Sequence, residues 1–244
     1  MKFATTILIV ILLASCKTKT QSVDTLNLPE DSLSFYFPAN IFSDRPSSDS
    51  FVQNWYSSAL YSFKEPVLSQ SFIGHNIYRF LWLRSFHRPV VFTLRQKDNQ
   101  VWLTTKILDK QPMFHDDRFG ANVSILPKEE QQEYIDKGYS INKKTPDHLV
   151  FEKKADRKAN IIYNKQIFLS VNEWNEFEQF LLKANFWTLP TNIDDGSTDG
   201  AQWVLEGHLK DKYHVVNYHS PGNNEYAKAG LFLIKLSGLK EEIY

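Results

Sequence analysis

A single carboxylate, Glu206, lies within an otherwise apolar stretch that runs from Trp203 to Gly207. A buried carboxylate beside a histidine can act as a general acid or base, and His214 follows after a short polar turn at residues 210–211. The pattern predicts a β-hairpin in which strand alternation places Glu206 and His214 on opposite faces. The two are candidate catalytic residues only if a bulge at Gly207 turns one of them around.

A structural role for Glu206 competes with the catalytic one. Arg79 and Arg84 lie in a second, strongly apolar strand, where a buried charge without a partner is costly. The sequence therefore predicts that Glu206 forms an ion pair with Arg79 or Arg84, and that His214 is a satisfied core histidine. If these side chains remain accessible, they are, together with Trp203, the candidate binding residues.

The stretch before the hairpin has the spacing of a calcium loop. Asp195, Ser197, Asp199, Gly200 and Glu206 match the first, third, fifth, sixth and twelfth positions of an EF-hand loop, in which oxygen ligands wrap a hard cation. Against calcium, the positions between the glycine and the glutamate depart from the pattern, and a strand rather than a helix follows. A polar turn capped by its aspartates explains the same residues without calcium or any other cofactor.

The sequence lacks the motifs of several enzyme classes. The chain contains no Gly-x-Ser-x-Gly, no His-Glu-x-x-His and no glycine-rich phosphate loop. Cys16 is the only cysteine, so neither an internal disulfide nor a zinc–thiolate site can form. The chain is rich in aromatic residues, with 6 Trp, 11 Tyr and 18 Phe. They predict either an aromatic cleft for carbohydrate or peptidoglycan, or simply the core of a domain without disulfides.

The amino terminus predicts export and lipid anchoring. Lys2 and an apolar run from residue 3 to 13 precede Leu13-Ala14-Ser15-Cys16, an order that resembles a bacterial lipoprotein signal peptide with its lipobox. The resemblance implies that residues 1–15 are removed and that Cys16 carries the lipid. The expected location is the cell envelope, with the lipid in the outer membrane and the protein facing the periplasm.

The net charge of the chain limits the kinds of partner that it is expected to bind. The chain has 28 basic and 28 acidic residues, and removing residues 1–15 takes away one lysine, which leaves a net charge of −1. That balance argues against nucleic acid as a partner and against electrostatic attachment to a membrane. The lipid is the expected membrane contact, followed by a flexible tether over residues 16–30.

The hydrophobic pattern predicts a single α+β domain over residues 31–244, with three to four helices packed on an antiparallel meander. Strands are predicted at 33–37, 76–86, 89–96 and 101–108, with 76–86 central and covered on both faces. Another strand is predicted at 161–169 with a turn near 164–165. Helices are predicted from Asp49 or Ser50, from Ser170 or Asn172, and from Asn223 or Asn224 to Gly238. A polar insertion at about 112–158 carries one helix, at 128–137.

Two groups of motifs resemble an uncharacterised family of secreted bacterial proteins. The first is Tyr78-Arg79-Phe80-Leu81-Trp82-Leu83-Arg84-Ser85-Phe86-His87-Arg88-Pro89-Val90. The second is Asp199-Gly200-Ala201-Gln202-Trp203-Val204-Leu205-Glu206-Gly207, followed by Tyr213-His214-Val215-Val216 and Ser220-Pro221. The resemblance covers roughly residues 70–110 and 165–240. It supports the fold and the boundaries and implies no reaction.

These observations predict a lipid-anchored cell-envelope protein that binds another molecule or takes part in an assembly, without catalysis. The partner would be an envelope protein or a cell-wall polymer. Two alternatives stay open: a hydrolase of an envelope polymer that uses Glu206 with a nearby histidine, and a calcium or small-ligand module at residues 195–206.

Overall fold

A computed structural model describes residues 27–29, 34–112, 117–122, 126–136, 139–145, 148–153, 159–194, 199–241 and 243. The predicted leader, the predicted lipidation site Cys16 and nearly all of the predicted tether lie outside these ranges. Within them the elements are α1 (Pro46–Ser62), β1 (Asn76–Arg84), β2 (Val90–Lys97), β3 (Gln100–Leu108), β4 (Asp117–Asn122), α2 (Lys128–Asp136), β5 (Ser140–Thr145), β6 (His148–Lys153), β7 (Ile161–Leu169), α3 (Val171–Lys183), β8 (Asn192–Ile193), β9 (Ala201–Leu209), β10 (Lys212–His219) and α4 (Glu225–Ser237).

A seven-stranded sheet forms the centre of the fold. Its order is β7-β3-β2-β1-β9-β10-β8, and every neighbouring pair is antiparallel except β8 with β10. The meander β1–β2–β3 and the hairpin β9–β10 are the two units that the sequence predicted, and β1 joins them at the middle of the sheet. The α+β class with an antiparallel sheet is thereby confirmed.

Both faces of the sheet are covered, because the central strands are apolar on both sides. On one face, Tyr78, Phe80 and Trp82 of β1 belong to a core that also contains residues of α3 and α4. On the other face, Leu81 and Leu83 of β1 pack with residues of α1 and with the chain from residue 36 to 42. Each face of β1 therefore has its own hydrophobic core, as its sequence pattern predicts.

The starts of two helices follow the predicted capping residues. Ser170 caps α3 in a capping box with Glu173, and the Asn224 side chain accepts a hydrogen bond from Ala227 N at the start of α4. Gly238, in the left-handed conformation at φ 72°, ends α4. These boundaries are readable from sequence because each depends on hydrogen bonds made within one turn.

The predicted start of α1 is wrong. The helix begins at Pro46 rather than at Asp49 or Ser50, since proline is well suited to a first helical turn. Asp49 lies inside that turn instead, and its carboxylate accepts hydrogen bonds from the backbone N–H groups of Asn40 and Phe42. Asp49 thus anchors the preceding loop to the helix rather than capping the helix.

Other elements also differ from the sequence prediction. No strand forms over residues 34–37, the described part of the predicted first strand, and β7 runs through residues 164–165 without a turn. In the insertion, the predicted helix is confirmed as α2. The prediction missed three strands there, which form a separate antiparallel sheet in the order β4-β6-β5. None of the helices in the described ranges has the length and apolar character needed to cross a bilayer.

Candidate functional site

A cleft opens at one end of the sheet, where the first half of α1 passes over the ends of β1, β9 and β10. Its volume is about 600 Å³, within the roughly 300–1,000 Å³ of typical small-molecule sites. The described residues that line it are Ser47, Ser48, Phe51, Val52, Trp55, Tyr56, Leu83, Ser85, Asp194, Gly200, Ala201, Gln202 and His219.

The floor of the cleft is a row of side chains on three adjacent strands. Leu83 of β1 pairs with Gln202 of β9, and Gln202 pairs with His219 of β10. Residues that are directly opposite in an antiparallel sheet carry side chains on the same face. One apolar, one amide and one imidazole side chain are therefore held side by side by the backbone of the sheet.

One wall of the cleft is a face of α1. Ser48, Phe51, Val52 and Trp55 are spaced by three and four residues, which places them on one side of a helix. Such an apolar helix face is typical of a hydrophobic core. Trp55 is half-buried and packs against the core beneath α1, whereas Phe51 is 51% exposed. Tyr56 and Leu60, which lie on a neighbouring side of the helix, are buried.

Polar groups lie deep in the cleft and at its rim. Gln202 is 8% exposed, and its Oε1 atom accepts no hydrogen bond from any described residue. Asp194 lies at the surface, close enough to the buried hydroxyl of Tyr56 to affect it. Burial raises the pKa of Tyr56 well above its ordinary value, and the Asp194 carboxylate raises it further.

Gly200 fits tightly against the floor. Its φ of 120° is a conformation that favours glycine, and a Cβ atom there would collide with Ser220 Oγ and the His219 ring. Ser220 Oγ also accepts a hydrogen bond from Ala201 N at 3.0 Å. The glycine therefore lets the chain enter β9 close to His219 without displacing the imidazole.

Glu206 lies on the same sheet face as Gln202 but is sealed inside the protein. Its side chain forms an ion pair with Arg79, directly opposite on β1, and accepts a hydrogen bond from Tyr213 at 2.8 Å. Glu206 and Arg79 are each 1% exposed. Burial raises the pKa of Glu206, and its contacts with Arg79, Tyr213 and His208 offset that effect only in part. The pair with Arg79 that the sequence predicted is confirmed.

Glu65 is another buried carboxylate, and it is close enough to Arg79 to stabilise the guanidinium charge. Glu65 accepts hydrogen bonds from Lys106 Nζ at 2.6 Å and Thr93 Oγ1 at 3.0 Å, and Arg95 Nη2 lies 3.6 Å from it. Burial alone would raise the pKa of Glu65, but Lys106 and then Arg95 lower it to about 2. We call Glu65, Arg79, Arg95, Lys106 and Glu206 the buried charge network.

His214 lies on the opposite side of the sheet from Glu206. Its Nε2 atom is 3.1 Å from the carbonyl oxygen of Leu189, and its ring packs against those of Phe186 and Trp187. The pairing of β9 with β1 and β10 continues through Gly207 without a bulge. Burial lowers the pKa of His214, which favours the neutral imidazole. The acid–base pair of Glu206 and His214 is therefore not assembled in this fold.

The other binding candidates from the sequence belong to the interior. Trp203 packs under α4 at Gly230, where a Cβ atom would lie 2.6 Å from the indole ring. Arg84 stacks over Trp82 at 4.0 Å and forms an ion pair with Glu241 at 2.9 Å. Neither Trp203 nor Arg84 lines the cleft.

One of the predicted calcium ligands, Glu206, already has other partners inside the sheet. Asp195 and Ser197 lie outside the described residues, and Asp199 is exposed at the surface. Both oxygens of Glu206 are already hydrogen-bonded inside the sheet, to Arg79 and Tyr213. Among the described residues, no group of three or more His, Cys, Asp or Glu side chains could hold a metal ion.

Most of the residues that line the cleft were not predicted as a site from the sequence, and Gly200 was predicted only as a turn position of the calcium loop. Gln202 and Gly200 belong to the motif that surrounds Glu206, but the carboxylate of Glu206 is the stronger indication of chemistry in that motif. The one usable signal was the i, i+4 pair of aromatics, Phe51 and Trp55, on a helix whose other side supplies the core.

Comparison of the chain with models of protein families, with curated proteins and with solved structures finds no match. Functional inference therefore depends on the geometry of the site.

Proposed function

We propose that this protein is a lipid-anchored component of the bacterial cell envelope that binds another envelope molecule in the cleft beside α1, without catalysing a reaction. The observation that carries the binding role is the alignment of Leu83, Gln202 and His219 beneath the aromatic wall that α1 presents to the cleft. A mostly apolar cavity with a few converging polar groups is the usual form of a ligand site.

The state of Glu206 supports a role without catalysis at that residue. A general acid or base must come within hydrogen-bond reach of the proton that it transfers. Glu206 is enclosed by Arg79 and Tyr213, and it does not line the cleft. We therefore assign the carboxylate to the stability of the sheet and the ligand to the other end of the same face.

A retention experiment with envelope fractions tests the binding role. The full chain, purified in detergent micelles, is incubated with isolated cell-wall sacculi, with outer-membrane vesicles, or with a detergent extract of envelope proteins coupled to beads. We expect retention by at least one of these fractions. Because Trp55 forms the wall of the cleft, Trp55→Ala should weaken that retention at least tenfold.

Phe168→Ala is the matched control. Phe168 is also an aromatic residue on the surface, 75% exposed, but it lies on the edge strand β7. It should leave retention unchanged. No retention by any fraction, or equal retention of wild type and Trp55→Ala, would contradict the proposed site.

The anchoring has its own test at Cys16. Full-length protein made in a bacterium that is fed labelled palmitate should incorporate the label and remain in the membrane fraction. Cys16→Ser should abolish both, because the thiol is the attachment point that the lipobox implies. A Cys16→Ser protein that still carries label would contradict lipid attachment at this residue.

A further inference from the structure

The residues of the cleft indicate the chemical class of its ligand. We propose that the cleft binds a neutral saccharide, with one face of a pyranose ring against Trp55 and Phe51 and the ring hydroxyls at the polar floor. This inference rests on the proposed binding function, and it goes further by naming what binds.

The aromatic wall fits one face of a sugar ring. Phe51 and Trp55 lie one helical turn apart on the same side of α1 and both face the cleft. A pyranose presents a patch of C–H groups on its flat face and hydroxyls around its edge. Aromatic side chains offer a large, rigid contact area for such a patch, with little loss of side-chain entropy. The wall can therefore hold the apolar face while the hydroxyls point to the floor.

The floor and the rim offer the groups that hydroxyls need. Gln202 on the floor carries an amide, and the exposed Asp194 and Ser85 carry a carboxylate and a hydroxyl. The backbone fixes Gln202 next to His219. The Oε1 atom of Gln202 is buried and accepts no hydrogen bond from any described residue. A buried acceptor without a donor is costly. Gln202 lines the cleft, so a turn of its terminal amide group brings Oε1 to a hydroxyl that enters the cleft and supplies the missing donor.

The charges of the cleft favour a neutral ligand. Among the described lining residues there is no lysine or arginine, and the carboxylate of Asp194 lies at the rim. A phosphate or carboxylate ligand would find no lysine or arginine to pair with and would be repelled by Asp194. An anionic lipid headgroup or a nucleotide is therefore a poor fit, whereas neutral hydroxyls can donate hydrogen bonds to the same carboxylate.

A peptide is the main competitor, because an aromatic side chain of a partner could also stack on Trp55. The polar floor separates the two ligands. An apolar or aromatic side chain that enters the cleft leaves Gln202 Oε1 without a donor, whereas a saccharide satisfies it. Removing the amide should thus weaken saccharide binding and leave aromatic stacking intact.

Saturation-transfer NMR with two soluble disaccharides tests the inference. Cellobiose and N,N′-diacetylchitobiose are added separately to the full chain in lauryldimethylamine oxide, a detergent without a sugar headgroup. We expect saturable transfer from the protein to the C–H groups of at least one disaccharide. Trp55→Ala and Gln202→Leu should each weaken the affinity at least tenfold, and Phe168→Ala should not change it.

A further variant changes the more exposed ring of the aromatic wall. Phe51→Ala removes a half-exposed ring and should reduce the affinity for the disaccharide without loss of structure. Circular dichroism of each variant establishes that it is folded before binding is compared.

The outcomes separate this inference from the proposed function. Disaccharide binding that needs Trp55 and Gln202 supports both. If neither disaccharide binds, but envelope proteins retain the chain through Trp55, the ligand is a protein and the saccharide inference is overturned while the cleft remains the site. Disaccharide binding that is unaffected by both Trp55→Ala and Gln202→Leu would place the saccharide elsewhere and overturn the inference as well.

Discussion

The two ends of one sheet face, both beneath α1 and the loops beside it, differ in what their residues do. At the row of Arg79 and Glu206, full charges are buried, paired and closed over by the chain at residues 63–68. Four residues along β1, at the row of Leu83 and Gln202, the same face opens into a cleft with mostly neutral side chains and the carboxylate of Asp194 at its rim. The buried charged residues thus stabilise the fold, and mostly neutral residues line the accessible cleft.

The largest expected effect comes from breaking the pair at the closed end. Glu206→Gln leaves the Arg79 guanidinium buried beside a neutral amide, and removing one partner of a buried pair costs about 3–5 kcal/mol. Denaturant melts of the full chain should show this loss in the free energy of unfolding. The double variant Glu206→Leu with Arg79→Met should recover part of it, because no charge then remains unpaired. A loss below about 1 kcal/mol for Glu206→Gln would contradict a structural role.

The second effect is a pH dependence centred on Glu65. The pKa of Glu65 in the folded protein, about 2, lies below the ordinary value of 4.5 for this side chain, so its ionised form stabilises the fold above about pH 4.5. That stability is lost as the pH falls towards 2, and the difference corresponds to roughly 3 kcal/mol. Unfolding free energies measured between pH 5 and pH 2 should fall less steeply for Glu65→Gln than for wild type. Equal slopes for the two proteins would show that Lys106 and Arg95 do not stabilise the carboxylate.

Gly200 offers a change at the open end. Gly200→Ala puts a Cβ atom against Ser220 and His219 at a backbone conformation that favours glycine. We expect a loss of about 1–3 kcal/mol in stability, together with weaker binding in the cleft because His219 is displaced. Gly222→Ala is the control: φ there is 66°, but nothing lies within 4 Å of the added atom. If Gly200→Ala reduces stability no more than Gly222→Ala, the tight contact with His219 is contradicted.

The smallest effect on stability is expected for Phe51→Ala. The ring is half exposed on α1, and substitutions at such positions usually change stability within about 0.5 kcal/mol. The affinity of this variant for a ligand in the cleft should nevertheless fall, because the ring forms part of the aromatic wall. A large loss of stability, measured by the same melts, would assign Phe51 to the core, as its spacing in the sequence first indicated.

The sequence predicted the hairpin in detail because its information is local. The turn at 210–211 sets the register, which places Leu205 opposite Val216 and Trp203 opposite Tyr218. The pair between Arg79 and Glu206 followed from two buried charges of opposite sign that each needed a partner. Capping at Ser170 and Asn224 was equally local.

The features that the sequence did not predict depend on contacts between segments that are far apart in the chain. Glu65 lies in a connecting segment beside Pro66, and nothing near it in sequence indicates that Lys106 and Arg95 meet there. The cleft arises from the path of α1 over β1, β9 and β10, which no periodicity specifies. The error at the start of α1 also left Ser47 and Ser48 outside the predicted helix. In the insertion, the surrounding polar residues obscured the strand at 148–153.

We propose that the open cleft, and not the buried charge network, is the functional end of this face. A retention experiment tests this directly by comparing Trp55→Ala and Glu206→Gln with the envelope fraction that binds wild type, at a temperature where circular dichroism shows both variants folded. We expect at least tenfold weaker retention of Trp55→Ala and unchanged retention of Glu206→Gln. Normal retention of Trp55→Ala with lost retention of folded Glu206→Gln would contradict it.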